Sequence, residues 1–113
     1  MNRDDATLLD IAQPARLIIE FKQGVDEVAF MSDFKTQSAI LHQLMIMGEA
    51  VKRLSPELRA QYSEIPWTLI AGMRDKLIHA YDVVDMNEVW KTVDSDVPTL
   101  LSMLEPLLPP QPE

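Results

Sequence analysis

An arginine, a histidine and a tyrosine follow one another in the pattern Arg-x-x-x-x-His-x-Tyr at Arg74, His79 and Tyr81. They sit within the stretch Ala71-Gly72-Met73-Arg74-Asp75-Lys76-Leu77-Ile78-His79-Ala80-Tyr81-Asp82. A guanidinium keeps its proton and grips phosphate through a planar fork, whereas an imidazole titrates near neutral pH, so the two suit phosphodiester cleavage. The chain has no Gly-rich phosphate loop and no His/Cys cluster of metal-ligand spacing, so no metal and no cofactor are expected.

The element that must position these groups reads as one helix. At ~100° per residue, Ile70, Met73, Leu77, Ala80 and Val84 fall on a single apolar seam, which predicts a helix running from Trp67 and fading near Val83 or Val84. Arg74 and Tyr81, seven residues apart, then share a line beside that seam about 10 Å from each other. His79 lies five residues beyond Arg74 and roughly 140° around the axis, so spacing alone does not bring imidazole and guanidinium together. Long arginine reach, a local bend or a second copy of the chain has to supply the meeting.

The rest of the chain also reads as helices. A first helix is expected from Asp4 or Asp5 to Gly24, with Leu8, Ile11, Ala15 and Ile18 in period across Pro14, where a kink or break is expected. An acidic connection, Val25 to Ser32, is anchored by Val28 and Phe30. Ser32 or Asp33 opens a long helix in which Ile40, Leu44, Met47, Val51 and Leu54 make one seam and Leu41, Met45 and Gly48 a second. Ser55 followed by Pro56 caps a short helical turn reaching Tyr62, and Ile65-Pro66-Trp67 restarts the chain. Asp85 with Glu88 has the spacing of a capping box, opening a last helix through Val89, Trp90, Val93, Val97, Leu100, Leu101 and Leu104, kinked at Pro98. The class is all-α, an antiparallel four- to five-helix bundle forming one domain over residues 1–108, with a disordered Pro-rich tail at 109–113.

Composition narrows the function classes. The absence of cysteine excludes disulfides and thiolate chemistry and suits a reducing compartment. The N-terminus is polar and acidic, and no apolar run approaches the ~20 residues that span a bilayer, so a cytoplasmic protein with no membrane partner is expected. The net charge of −8 opposes general binding to nucleic acid, which draws its affinity from cations that displace counterions. What positive charge there is near the motif comes from Lys52, Arg53, Arg59, Arg74 and Lys76, enough for a small positive cleft inside an acidic protein. The same acidity would attract a basic partner protein.

From Gly48-Glu49-Ala50 through Ile65-Pro66-Trp67, Arg74, His79 and Tyr81 to Val89-Trp90, the chain resembles the HepT-like branch of the HEPN families, over about Leu8 to Leu104. The resemblance implies a small helical toxin that dimerises, cuts RNA without metal using the arginine and histidine of facing helices, and pairs with a minimal nucleotidyltransferase antitoxin. It makes Arg74 and His79 the catalytic residues and Tyr81 the acceptor of an AMP group from the antitoxin. The substrate class it implies is RNA, transfer RNA included, and not DNA. The position after the arginine is often asparagine in the family and is Asp75 here, an acid able to pair with Arg74 or His79.

Ordinary readings stand beside these. Arg74 could simply be paired with a carboxylate, His79 could be an exposed helix residue held by Asp75 at i−4, and Tyr81 could be a rim residue at a helix end. His42 and Glu49, seven apart, read as surface or interface polar residues, and Trp67, Trp90 and the methionines as packing groups. Three functions remain open on this basis: a homodimeric toxin ribonuclease, a non-catalytic helical module that binds a nucleotide or a nucleotidyltransferase, and a purely structural bundle.

Overall fold

The computed structural model describes residues 2–110, Tyr81 by its backbone alone. Helix α1 (Arg3–Lys22) is capped by Asn2, whose carboxamide accepts from the Asp5 N–H at 2.8 Å while the Asp5 carboxylate accepts from the Asn2 N–H. The helix therefore starts before the expected Asp4 or Asp5. Pro14 is carried inside α1 without breaking it. A proline interior to a helix costs ~3 kcal/mol. Burial of Leu8, Ile11, Ala12, Ala15 and Ile18 on both sides of it offsets that, at about 1.5–3 kcal/mol for each large side chain. The chain turns out of α1 at Gly24, whose φ of 75° is the left-handed conformation glycine adopts freely.

The expected acidic connection is in fact a helix, α2 (Glu27–Ser32). Asp26 caps it by accepting from the Ala29 N–H at 2.8 Å, and Phe30 is fully buried with its ring centroid 5.2 Å from that of Trp90. Asp33 then caps α3 (Phe34–Arg53) through the Thr36 N–H. All five residues of its first predicted seam, with Leu41 and Gly48 of the second, are buried. Ser55 caps the short α4 (Pro56–Gln61), and α5 (Trp67–His79) carries the arginine and histidine.

Ion pairs and hydrogen bonds fix the packing directions. At the α1–α3 contact, Asp10 pairs with Arg53 and Asp4 accepts from both Ser55 N–H and Ser55 Oγ, so the start of α1 meets the end of α3. At the α3–α5 contact, Lys52 pairs with Asp75 and Glu49 with Arg74, while His42, Met45 and Ile46 share a groove with Ile78. Both contacts are antiparallel, and α3 is the central helix.

Beyond α5 the chain makes a 3-10 turn (Tyr81–Val83) and enters α6 (Met86–Lys91), capped by Asp85. The predicted capping box is half made, because the Glu88 carboxylate accepts from Lys76 of α5 instead. A π-helical turn (Thr92–Asp96) joins α6 to α7 (Val97–Leu104), and a last 3-10 turn (Glu105–Leu107) follows. In the π turn the Val97 N–H reaches the carbonyl of Thr92, five residues back, which widens the helix immediately before Pro98. Helix α7 returns along α1, with Lys22 paired to Asp94 and Arg16 to Glu105. The result is an all-helical antiparallel bundle; among the described residues there is no strand, and no helix is long and apolar enough to cross a membrane. Of the tail expected at 109–113, residues 111–113 lie outside the described residues.

Candidate active site

Arg74 is seated where α3 and α5 come closest. Gly48 of α3 makes the approach possible: a Cβ added there would lie 2.1 Å from the Arg74 Cβ, 3.0 Å from its Cγ and 3.0 Å from the Ile70 carbonyl oxygen. A glycine inside a helix costs roughly 0.5–1 kcal/mol relative to alanine, and here it gives the arginine stem its place against the neighbouring backbone. The arginine side chain keeps only 20% of its surface exposed.

The guanidinium is flanked by two acids. Glu49 Oε2 lies 2.8 Å from Nε but off the N–H direction, an ion pair that leaves the buried Nε–H without a hydrogen-bond acceptor. Nη1 donates to Asp75 Oδ1 at 3.1 Å, and the same oxygen accepts from Lys52 Nζ at 2.8 Å. The Lys52 hydrogen bond first, and the Arg74 one second, hold the Asp75 carboxyl below its ordinary value. Nη2 takes no partner among the described residues, which leaves one edge of the fork for an incoming anion.

His79 is the last residue of α5, exposed, with no hydrogen bond or ion pair to any described residue. Asp75 does not hold it, being occupied by Lys52 and Arg74. The two groups thus share a helix but point to different sides of it, as spacing predicts, one packed against α3 and the other turned to solvent.

Tyr81 departs from the expected single helix. The α-helix ends at His79, Ala80 has φ −142° and ψ 40°, and Tyr81 opens the 3-10 turn, so it does not continue the line of Arg74. The chain has to turn there because Asp85 starts α6, and Val83 and Val84 are β-branched residues that gain little from prolonging a helix.

Four of the five cations expected to form a positive cleft are compensated; Arg59 has no ion pair among the described residues. Lys52 pairs with Asp75, Arg53 with Asp10, Arg74 with Glu49 and Asp75, and Lys76 with Glu88. Beside Arg74 runs an open groove of about 340 Å³ between α3 and α5, lined by His42, Met45, Ile46, Glu49, Arg53, Arg74 and Ile78. Ile46 and Ile78 are exposed on it. Sequence reasoning gave His42 and Glu49 only a surface or interface role, and Gly48 only a seam position. A glycine on the buried face of a long helix was the available signal that another backbone comes close. Among the described residues no group of three or more His, Asp or Glu side chains could hold a metal ion.

The family model described as HepT-like, Ribonuclease HepT-like, matches residues 11–107. A protein of Thermococcus cleftensis named "Probable ribonuclease HepT" is 45% identical over 100 residues, covering 88% of this chain and 91% of that protein. A protein of Caldanaerobacter subterraneus subsp. tengcongensis, provisionally named as an RNase, is 39% identical over 98 residues, covering 87% and 88%. One of Methanocaldococcus jannaschii, also provisionally named as an RNase, is 35% identical over 103 residues, covering 91% and 85%. No solved structure matches the chain significantly.

Proposed function

The chain belongs to the HepT-like ribonuclease family, and from that premise we propose that it is a metal-independent endoribonuclease acting as a homodimer. The observation that carries this reading is the division of labour on α5: Arg74 is half-buried and held, His79 is exposed with no partner among the described residues, and roughly 140° of helix separates them. One copy of the chain presents half a site on each side of the helix. A second copy facing the first would bring the arginine of one protomer to the histidine of the other.

In that composite site the free edge of the Arg74 fork binds the scissile phosphate and stabilises the charge that builds on its oxygens. His79 exchanges a proton with the ribose 2′-hydroxyl or with the leaving oxygen. The 2′-oxygen bonds to phosphorus, the bond to the 5′-oxygen breaks, and the products carry a cyclic phosphate and a free 5′-hydroxyl. The chain would be the toxin of a pair whose antitoxin, a minimal nucleotidyltransferase, adds AMP to Tyr81. Two residues past His79, that anionic group would block the cleft by bulk and by charge. The acidic surface suits a basic partner.

The test is to incubate purified, unmodified protein with total and transfer RNA in chelator beside its His79→Ala and Arg74→Ala forms. Cleavage that both substitutions remove supports the proposal. Intact RNA from confirmed unmodified dimer supports the second reading, a non-catalytic nucleotide- or partner-binding module. The observation in favour of that alternative is the pairing of Lys52, Arg53 and Arg74 with carboxylates.

A further inference from the structure

Cleavage by attack of the 2′-hydroxyl moves two protons: one leaves the 2′-oxygen and one arrives at the 5′-oxygen. A single imidazole cannot do both within one step, because the form that accepts a proton is not the form that donates one. Besides His79 the chain has one other histidine, His42. It projects from the middle of α3 into the groove that holds Arg74, and no described residue hydrogen-bonds to it or pairs with it. The antiparallel packing of α3 and α5 sets its level. Glu49 and Lys52 lie beside Arg74 and Asp75, while His42, Met45 and Ile46 lie beside Ile78, whose next neighbour in the chain is His79. His42 therefore lies in the groove that holds Arg74, at the axial level of His79, which is turned off that groove to solvent; in the proposed dimer the His79 of a second copy would face it.

Among the described side chains the other proton donors of the region are committed. Lys52 is held by Asp75 and Lys76 by Glu88, and the guanidiniums of Arg53 and Arg74 keep their protons. The charged groups that share the groove with His42 are Glu49 and Arg53 of its own helix and Arg74 of α5, of mixed sign.

We infer that His42 is a second catalytic residue, the general acid of the reaction. His79, unprotonated, takes the proton of the 2′-hydroxyl as the 2′-oxygen attacks phosphorus. His42, protonated, gives its proton to the 5′-oxygen as the P–O5′ bond breaks, so the 5′ product leaves as an alcohol. The inference rests on the ribonuclease reading and adds a residue to its site. The competing source of the second proton is another copy of His79 across the dimer.

Two substrates separate these cases: an ordinary RNA oligonucleotide and one whose scissile 5′-oxygen is replaced by sulfur, a leaving group that needs no protonation. His42→Ala should slow cleavage of ordinary RNA about 10²–10⁴-fold, the usual contribution of a general acid. It should also remove the fall in rate at high pH, where the acid is lost by deprotonation. On the thio substrate the same variant should cleave within severalfold of wild type, and His79→Ala should stay inactive on both. His42→Gln should behave as His42→Ala. His42 is exposed, so circular dichroism and oligomeric mass should be unchanged. Cleavage that needs His79 but proceeds at the wild-type rate in His42→Ala overturns the inference and leaves the ribonuclease standing. Equal impairment on both substrates also overturns it, reducing His42 to a binding group. No cleavage by the unmodified wild-type dimer of either substrate removes both readings together.

Discussion

Replacing Gly48 with alanine tests whether close helix approach is what places the arginine. The new Cβ would meet the Arg74 Cβ at 2.1 Å, where ordinary contact begins at 3.4 Å, so α3 and α5 must separate locally by about 1.3 Å. Neither atom can escape by changing rotamer, since each is fixed to its own backbone. Overpacking of this severity belongs at the upper end of the usual range, about 3 kcal/mol. The helical preference of alanine over glycine returns ~1 kcal/mol, leaving a net loss of about 2 kcal/mol. For a domain of this size that is a fall in Tm of roughly 8 °C. An arginine displaced by about 1 Å should also lower cleavage on the order of 10²-fold. Gly72 provides the control: it lies in α5 with nothing within 4 Å of an added Cβ, so Gly72→Ala should keep activity and raise stability by up to about 1 kcal/mol. Thermal melts and single-turnover cleavage of both variants decide the matter. If Gly48→Ala melts at or above the wild-type temperature and cuts RNA normally, the helix contact does not position Arg74 and the reasoning fails.

Other perturbations follow from the same geometry. His79→Ala, at an exposed position with no partner among the described residues, should change unfolding free energy by no more than about 0.5 kcal/mol in urea titrations while abolishing cleavage. Asp75→Asn in the His79→Ala background should bind RNA severalfold more tightly at low salt, because it removes the anion beside Arg74 and Lys52; in filter binding the gain should shrink as salt rises, and unchanged affinity would count against the compensated cluster. The carboxyls of Asp4, Asp33 and Asp75 are all lowered from 3.8, by hydrogen bonds from Ser55, from Thr36, and from Lys52 then Arg74. Groups depressed in the folded state stabilise it above that value and lose the contribution as pH falls from there through the lower folded value, so urea midpoints should hold steady above about pH 5 and drop below about pH 4. Phe30→Ala should cost about 3–5 kcal/mol, since it removes a fully buried ring packed on Trp90.

The long helices were legible because their seams repeat over many turns: each of Ile40, Leu44, Met47, Val51 and Leu54 is buried where its period puts it. Helix α2 was not, because six residues are too few to show a period, and its one local signal, the capping Asp26, sits in a segment that is acidic throughout. The end of α5 was misplaced for the opposite reason, since Ala80 and Val84 prolong an apolar period that the backbone abandons at His79. At the site, the residue types of Arg74 and His79 and their separation around the helix were readable from spacing. The occupation of Arg74 by Glu49 and Asp75 and the groove shared with His42 depend on how α3 and α5 meet, which no single helix encodes.

The π turn at Thr92–Asp96 changes how the last third of the chain tolerates insertion and deletion. A turn of i to i+5 spacing holds one residue more than an α-turn, and that residue rotates everything downstream by about 100°. Upstream of it Val89 and Trp90 face the α2 side of the core; downstream Val97, Leu100 and Leu104 face α1. Deleting one residue there would restore an ordinary helix locally yet turn Leu100 and Leu104 out of register with α1. The bulge thus works as a phase-setting joint, and length variation that is harmless in the loops between other helices would be filtered out at these five positions.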